Sequence, residues 1–463
     1  MSIRRRELLG IGALGTIGAL VPARVAVGAT AAASIVEGGD TRALVSAIEK
    51  APPGAAILVR RGRYVLPKDG LTLSKPVRLA GEGRETVLAG TADRLLIVTG
   101  ADVVLDRLVV ETEIRLEGSG AGIVACELDP PSGPALVVGE NADRFVVESC
   151  TVHAPEGEVA DGIRVEGARV GRIQGCRIVR AARSGVLLRG GGGHAVTGNV
   201  FEHCGAAAVT LTSTREVSVT GNVVRGGTAG IEAPAGGPSS GLVVAANVVR
   251  GNARSGIALQ ACTAATVANN QVAETGTAGI LLDGCTASTV IGNVVQGCGE
   301  EGIRLLKSGA VACTGNVCRS NGREADDDAA AGIGVDGDGS AVVAGNVCDD
   351  PEPAPFQNAG LRVAGTGSVL APYNVLRGYG GPALVVDGDQ GGELDVFVTP
   401  SKALIAEVGR QRASISHGLG YAPRAVTLQM TSPGRIWLDG PPDGTAVHLR
   451  ADGSRCTARL TVG

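Results

Sequence analysis

Charged residues able to do chemistry fall in two groups: Asp161, Arg164, Glu166, Arg183 and Arg189, then Asp283, Glu301, Arg304, Asp336 and Arg362. The second group adjoins two stretches, 319–331 and 349–358, that add Arg319, Arg323, Asp326, Asp327, Asp328, Asp349 and Asp350. Carboxylates gathered like this can hold a hard cation such as calcium, and Asp326, Asp327 and Asp328 are the candidate ligands. Such a cation, or an arginine, can neutralise a substrate carboxylate and acidify a proton on the carbon beside it for a base to remove. Arg304, Arg323 and Asp336 are the candidate catalytic residues, with Asp283, Glu301, Arg319 and Arg362 as candidates for holding substrate. The aspartate run lacks the alternating ligands and glycine of an established calcium loop, so it also fits a solvated acidic loop that leaves a strand edge unpaired. Zinc is excluded by spacing: Cys313 and Cys318 are not a C-x-x-C pair and no histidine lies near them. His194 and His203 read as solvated turn residues, and the few histidines and methionines argue against a copper site.

These side chains have to be carried by a repeat. Asparagine recurs, mostly as Gly-Asn-Val, at Asn199, Asn222, Asn247, Asn270, Asn293, Asn316, Asn346 and Asn374, at spacings of 23, 25, 23, 23, 23, 30 and 28. A second motif keeps step with it, from Gly162-Ile163 and Gly185-Val186 through Gly230-Ile231, Gly256-Ile257, Gly279-Ile280 and Gly302-Ile303 to Gly332-Ile333 and Gly360-Leu361. Upstream, Cys126, Cys150 and Cys176 take the place of the asparagine. A period near 23 accommodates three short strands and three turns, with β-branched residues on alternate positions pointing into a shared interior. Asparagine at a fixed turn can pass amide hydrogen bonds from coil to coil and tolerates the left-handed backbone of a sharp bend. The expectation is an all-β solenoid of about eleven coils. The 72 glycines and 2% aromatics fit tight turns around a core of small aliphatic side chains. Leucine-rich repeats have a similar period, but their L-x-x-L-x-L signature is missing.

The stretch from Ser34 to Gly90, with Gly54, Ile57, Val59, Gly62, Tyr64, Leu71, Leu73, Lys75, Pro76, Val77, Leu79 and Gly81, resembles the opening coils of exported pectin-lyase-like proteins, which are right-handed parallel β-helices. The resemblance spans roughly residues 34–390. It implies a substrate lying along one outward strand face beside loops of variable length. Most outward positions of the Gly-Ile strands are bland, among them Leu187, Thr210, Ala258, Leu281 and Gly334, so the charged exceptions stand out. The family covers lyases, uronate epimerases, hydrolases and non-catalytic members, and none of its catalytic motifs is present here. Asp40 or Thr41 can cap a helix running to about Ala51 whose Leu44, Val45 and Ile48 would cover the open end of the first coil.

The two ends of the chain read differently. Arg4, Arg5 and Arg6, then Leu8, Leu9 and an apolar run to Leu20, resemble a twin-arginine export signal with small residues at Ala29, Ala31 and Ala33 for cleavage. Residues 1–33 are assigned to that signal, 34–391 to the β-helix with its cap, and 392–463 to a small β domain. Removing the signal takes the formal charge from −4 to about −7, which argues against nucleic acid and anionic lipid as partners. The eleven cysteines fall on equivalent sites of neighbouring coils and are expected buried and reduced, with a Cys262–Cys285 bridge left open. Beyond Gly391 the asparagine period stops, and short alternating stretches separated by Gly and Pro turns predict antiparallel strands. The run His417 to Pro423 resembles a motif in β domains at the tips of phage tail fibres. Six of the nine aromatics lie at or beyond Phe356, which makes Tyr421 and Trp437 candidates for stacking on sugar rings or for contact between subunits.

Two functions fit. One is a periplasmic or extracellular enzyme acting on acidic polysaccharide as a lyase or epimerase, with calcium as a possible cofactor. The other is a non-catalytic envelope or extracellular protein that binds glycan through its C-terminal region.

Overall fold

The computed structural model describes residues 32–91, 93–153, 160–324, 331–351, 356–365, 367–377, 384–388, 394–397, 404–408, 412–416, 426–430, 435–451 and 456–462. Each coil turns through three short strands. In one of them Val243–Ala245 leads past Asn247 to Val248–Arg250, a loop leads to Ile257–Gln260, and a last turn brings the chain to Thr266–Ala268 of the next coil. We call the faces sheets A, B and C in that order. Pairing between coils is parallel and in register, as in Val243↔Thr266, Val248↔Gln271 and Ile257↔Ile280. Alternation sends Ile257 and Leu259 inward and leaves Ala258 and Gln260 outside, so one continuous aliphatic core runs along the axis.

Sheet B has 14 strands, so the rod has about fourteen coils rather than eleven. The asparagine count falls short because the earliest coils carry no amide or thiol at that turn: Leu108 stands there, one coil before Cys126, fully buried. At about 4.8 Å per rung the sheet is roughly 60 Å long.

Amide hydrogen bonds pass along the turn between sheets A and B. Each of Asn199, Asn222, Asn247, Asn270, Asn293, Asn316 and Asn346 donates its backbone N–H and its side-chain amide to Oδ1 of the next asparagine, at 2.9–3.0 Å. The preceding thiols imitate part of this, with Sγ of Cys126, Cys150 and Cys176 donating to the carbonyls of Leu105, Ile123 and Val147 at 3.4–3.6 Å. All eleven cysteines are buried and unbridged. The Cys262–Cys285 bridge is therefore not formed: Cys262 Sγ donates to the Gln260 carbonyl at 3.3 Å and Cys285 Sγ to that of Leu259 at 3.2 Å. Burial pushes the Cys126 and Cys204 thiols up to about 12, so they stay protonated.

Both ends of the core are covered. A helix over Thr41–Lys50 starts at Asp40, whose Oδ1 accepts from the N–H groups of Arg42 and Ala43 at 2.8 and 3.1 Å, and it buries Leu44 and Ile48 against the first coil. At the other end Leu394–Phe397, Leu404–Val408 and Arg412–Ser416 continue sheets A and C in parallel. Antiparallel strands then follow, Ala446–Ala451 on Arg412–Ser416 and Cys456–Val462 on Leu404–Val408, and Val447, Leu449 and Leu460 join the same core.

Candidate functional site

On the outer face of sheet C one column of side chains runs Leu281, Arg304, Gly334, Arg362, Val385, and the column beside it runs Asp283, Leu306, Asp336, Ala364. Two arginines thus flank a rung with no side chain. Glu301, three residues before Arg304, fills that gap. A Cβ on Gly334 would lie 3.1 Å from Glu301 Oε1 and 3.3 Å from its Cγ, so only glycine leaves the carboxyl its full room.

Four residues converge there. Arg362 Nη2 donates to Asp336 Oδ2 at 2.9 Å and to Glu301 Oε1 at 3.4 Å. Arg304 Nε lies 3.5 Å from Asp336 Oδ2, and its Nη1 lies 3.8 Å from Glu301 Oε2 and from Glu300 Oε2. The Glu301 side chain is fully buried, whereas that of Arg304 remains 30% exposed. Burial pushes the Glu301 carboxyl above the usual carboxylate range, opposed by Arg304 and then Arg362 and reinforced by Asp336. Glu301 Oε2, Arg304 Nε and Arg362 Nε are buried without a hydrogen-bond partner. The arrangement offers two guanidiniums for an anion, a carboxylate able to take a proton, and a buried carboxyl able to give one.

Other candidates lie elsewhere. Arg319, on sheet B, pairs with Asp349 through Nε and Nη2 at 3.0 and 3.1 Å. Arg323 stacks its guanidinium 5.0 Å from the centre of the Phe356 ring. Asp350 accepts from Ser320 Oγ at 3.1 Å and from the N–H groups of Phe356 and Gln357 at 2.7 and 2.8 Å, so it organises its own loop. Asp283 stands two rungs from Asp336 in the same column. Trp437 stands on the terminal antiparallel sheet, 41% exposed. Tyr421, Asp326, Asp327 and Asp328 lie outside the described residues. Among the described residues no three His, Cys, Asp or Glu side chains are grouped to hold a metal ion.

The earlier charged group forms a chain of its own. Arg164 Nε donates to Asp161 Oδ2 at 2.9 Å, and Asp161 Oδ1 accepts from the Ser184 N–H at 3.1 Å. Ser184 Oγ and Thr210 Oγ1 are 2.9 Å apart, and Thr210 donates onward to Glu232 at 3.2 Å. His194 is not a solvated turn residue. It is 2% exposed, it accepts from the Gly171 N–H through Nδ1 at 3.0 Å, and Phe145 packs beside it with ring centres 5.9 Å apart.

The sequence marks Gly334 only as a bland outward position and gives Glu300 no role. A signal for Gly334 was present: Arg304, Gly334 and Arg362 are spaced 30 and 28 apart, as are Asn316, Asn346 and Asn374, so register alone aligns them.

A model of the right-handed β-helix region matches residues 135–295 and 255–394, together more than half of the chain. No curated protein matches the sequence. Among solved structures the chain is similar to the Dettilon tailspike protein, with 12% identity, 91% of this chain and 90% of that chain covered, and a TM-score of 0.46. It is also similar to the A-module of mannuronan C-5 epimerase AlgE6 from Azotobacter vinelandii, with 17% identity, 79% and 97% covered, and a TM-score of 0.45. For the DFA-IIIase from Arthrobacter chlorophenolicus A6 the figures are 15% identity, 81% and 92% covered, and a TM-score of 0.43. At such identities the likeness is one of fold alone. The matched region, the in-register parallel coils and the buried asparagine file together make this chain a member of the right-handed β-helix family.

Proposed function

We propose that the chain is an exported enzyme of the pectin-lyase-like kind that acts on an acidic polysaccharide, as a lyase or an epimerase, by removing the C5 proton of a uronate residue. The observation behind this reading is the Glu301 carboxyl buried between Arg304 and Arg362, with Asp336 bridging the two guanidiniums. Buried N–H groups left without acceptors are costly, and an incoming carboxylate would supply those acceptors. Arg304 and Arg362 would hold the sugar carboxylate and stabilise the negative charge it takes up as C5 loses its proton. Asp336, displaced from the arginines by that anion, would accept the proton. Glu301, whose hold on a proton burial strengthens, would return one: to the departing O4 oxygen in a lyase, or to the opposite face of C5 in an epimerase. A calcium ion on Asp326, Asp327 and Asp328 would share in neutralising the substrate.

The test is turnover of uronate polymers, followed as absorbance of an unsaturated product, or by proton NMR for inversion at C5, with and without chelator. Arg304→Ala and Asp336→Asn are expected to remove activity, while Arg323→Ala, whose guanidinium is engaged with Phe356, should retain more. Undiminished activity in both of the first two would overturn the proposal. Export is read from Arg4, Arg5 and Arg6; replacing all three with lysine should leave the protein in the cytoplasm.

A second reading, glycan binding without turnover, has its own observation in the exposed ring of Trp437. Loss of glycan-array signal in the full chain with Trp437→Ala, alongside no turnover by the unaltered protein, would favour it.

A further inference from the structure

The outer face of sheet A has two columns of side chains, one running from Ala195 to Leu370 over eight coils and the other beside it from Thr197 to Ala344. Every residue in both is Ala, Ser, Thr, Val, Ile or Leu, so neither column carries a charge. The turn from sheet A to sheet B that bounds them, from Gly198 to Tyr373, is uncharged as well. Over the same coils sheet B carries Glu202, Arg225 and Arg319, and sheet C carries Glu232 and Arg304. The fold does not require a neutral sheet A, since the same two columns hold Arg78, Asp106, Glu148 and Arg172 in earlier coils.

Exposed apolar side chains collect on this face. Of the eleven large ones exposed among the described residues, Ile291, Val342 and Leu370 belong to its columns, Tyr373 to the turn at its edge, and Val294 and Val375 stand just past that turn. Apolar surface gathered in one place and left in water marks a contact site. Charge returns at the rim, where Arg215, Glu216, Lys307 and Asp338 stand exposed in the turns that arrive from sheet C. A neutral centre inside a charged rim is the anatomy of a protein interface.

We propose that sheet A is the contact face of a homodimer, meeting the same face of a second copy across a two-fold axis that lies between them. Eight rungs ~4.8 Å apart, and five residue steps of ~3.3 Å from turn to turn, make a face of ~34 by ~16 Å. Two such faces would bury ~1,100 Å², which clears the ~1,000 Å² expected of a specific protein contact. Sheets stack ~10 Å apart, and rows repeating every ~4.8 Å are best matched by rows of the same interval, which a second copy supplies. Repulsion between two copies of net charge −4 is also least where neither presents a charge. Other occupants fit less well. Neither column has an aromatic ring to stack on sugar, or a basic residue to meet nucleic acid or an anionic bilayer.

The test is the mass of the full chain in solution by sedimentation equilibrium, where a dimer is expected at micromolar concentration. Thr289 is half-buried and close to the middle of the face, so a two-fold axis brings it near its own counterpart. Thr289→Arg and Thr289→Glu should each weaken association by about tenfold or more, with circular dichroism unchanged, and a mixture of the two should restore the dimer. Trp437→Ala, at the end of the rod, should leave it intact. Phosphatidylcholine vesicles and insoluble cellulose are the other arms, and capture of a monomer by either would assign the face to that partner and overturn the dimer. A monomer at tens of micromolar, a trimer, a dimer indifferent to Thr289→Arg, a mixture that stays monomeric, or a dimer that Trp437→Ala dissociates would overturn it too.

Discussion

Asn222 Oδ1 accepts two hydrogen bonds from Asn199, from the backbone N–H at 2.9 Å and from the side-chain amide at 3.0 Å. One oxygen thus satisfies two buried donors of the preceding coil, while the Asn222 amide goes on to the Val196 carbonyl at 2.9 Å and to Asn247 Oδ1 at 3.0 Å.

Removing one member should therefore be felt on both sides. Asn270→Ala strips the acceptor from both donors of Asn247 and the donor from the Val244 carbonyl, all buried. A loss of roughly 3 kcal/mol is expected, read as a lower denaturant midpoint. An unmoved midpoint would mean that the file of amides is not what fastens the coils.

Burial of Glu301 predicts a pH dependence of definite sign. Its folded pKa is raised above the ordinary 4.5, so its contribution to stability is full below that value and is lost as pH rises through the raised one. Melting temperatures of the unaltered protein and Glu301→Gln should diverge as pH climbs from 4, in favour of the variant. Parallel curves would show that Glu301 ionises like a solvated carboxyl.

His194 has the opposite dependence. Burial lowers its pKa below 6.5, because an imidazolium there would lose its hydration. Its contribution is full above about 6.5 and falls away as pH drops towards the lowered value. His194→Ser copies Ser288, which accepts from the Ala265 N–H at the same turn position four coils on, and should abolish that slope in a melting series between pH 7 and 4. A slope of equal size in the variant would assign the effect to another group.

Gly334→Ala adds a methyl group 3.1 Å from Glu301 Oε1, too close for the carboxyl to stay in place. Activity on uronate polymer is expected to fall tenfold or more, with melting temperature little changed. Full activity in this variant would show that the catalytic geometry does not depend on where Glu301 lies.

The fold was legible because its signal is periodic and carried by a side chain with one job. Asn247, Asn270, Asn293 and Asn316 recur at a constant interval because every Oδ1 must meet the same two donors. The count of coils was not legible, since Leu108 fills the same turn by packing alone and leaves no polar mark. In the site, Glu301, Arg304, Asp336 and Arg362 could be read together because register aligns their strands. The same register sets Arg319 opposite Asp349 on sheet B, but Arg323 could not be separated from the site by sequence, since its partner Phe356 lies across a loop whose path no spacing encodes. His194 was misread for a related reason: a turn residue in a solenoid can face the interior when the preceding coil presents an N–H to it.

The uniform register has a consequence for how such a chain can change length. From Asn270 to Asn316 each residue rests on its counterpart 23 places earlier, so cutting out one whole period would join two surfaces already shaped for each other. A cut of another size has to be absorbed in a turn, as in the coils of 25, 30 and 28 residues, or it turns the inward valines out. Growth and shrinkage of the rod are therefore quantised, and both ends, with the Glu301 cluster between them, can travel unchanged along the axis as middle coils come and go.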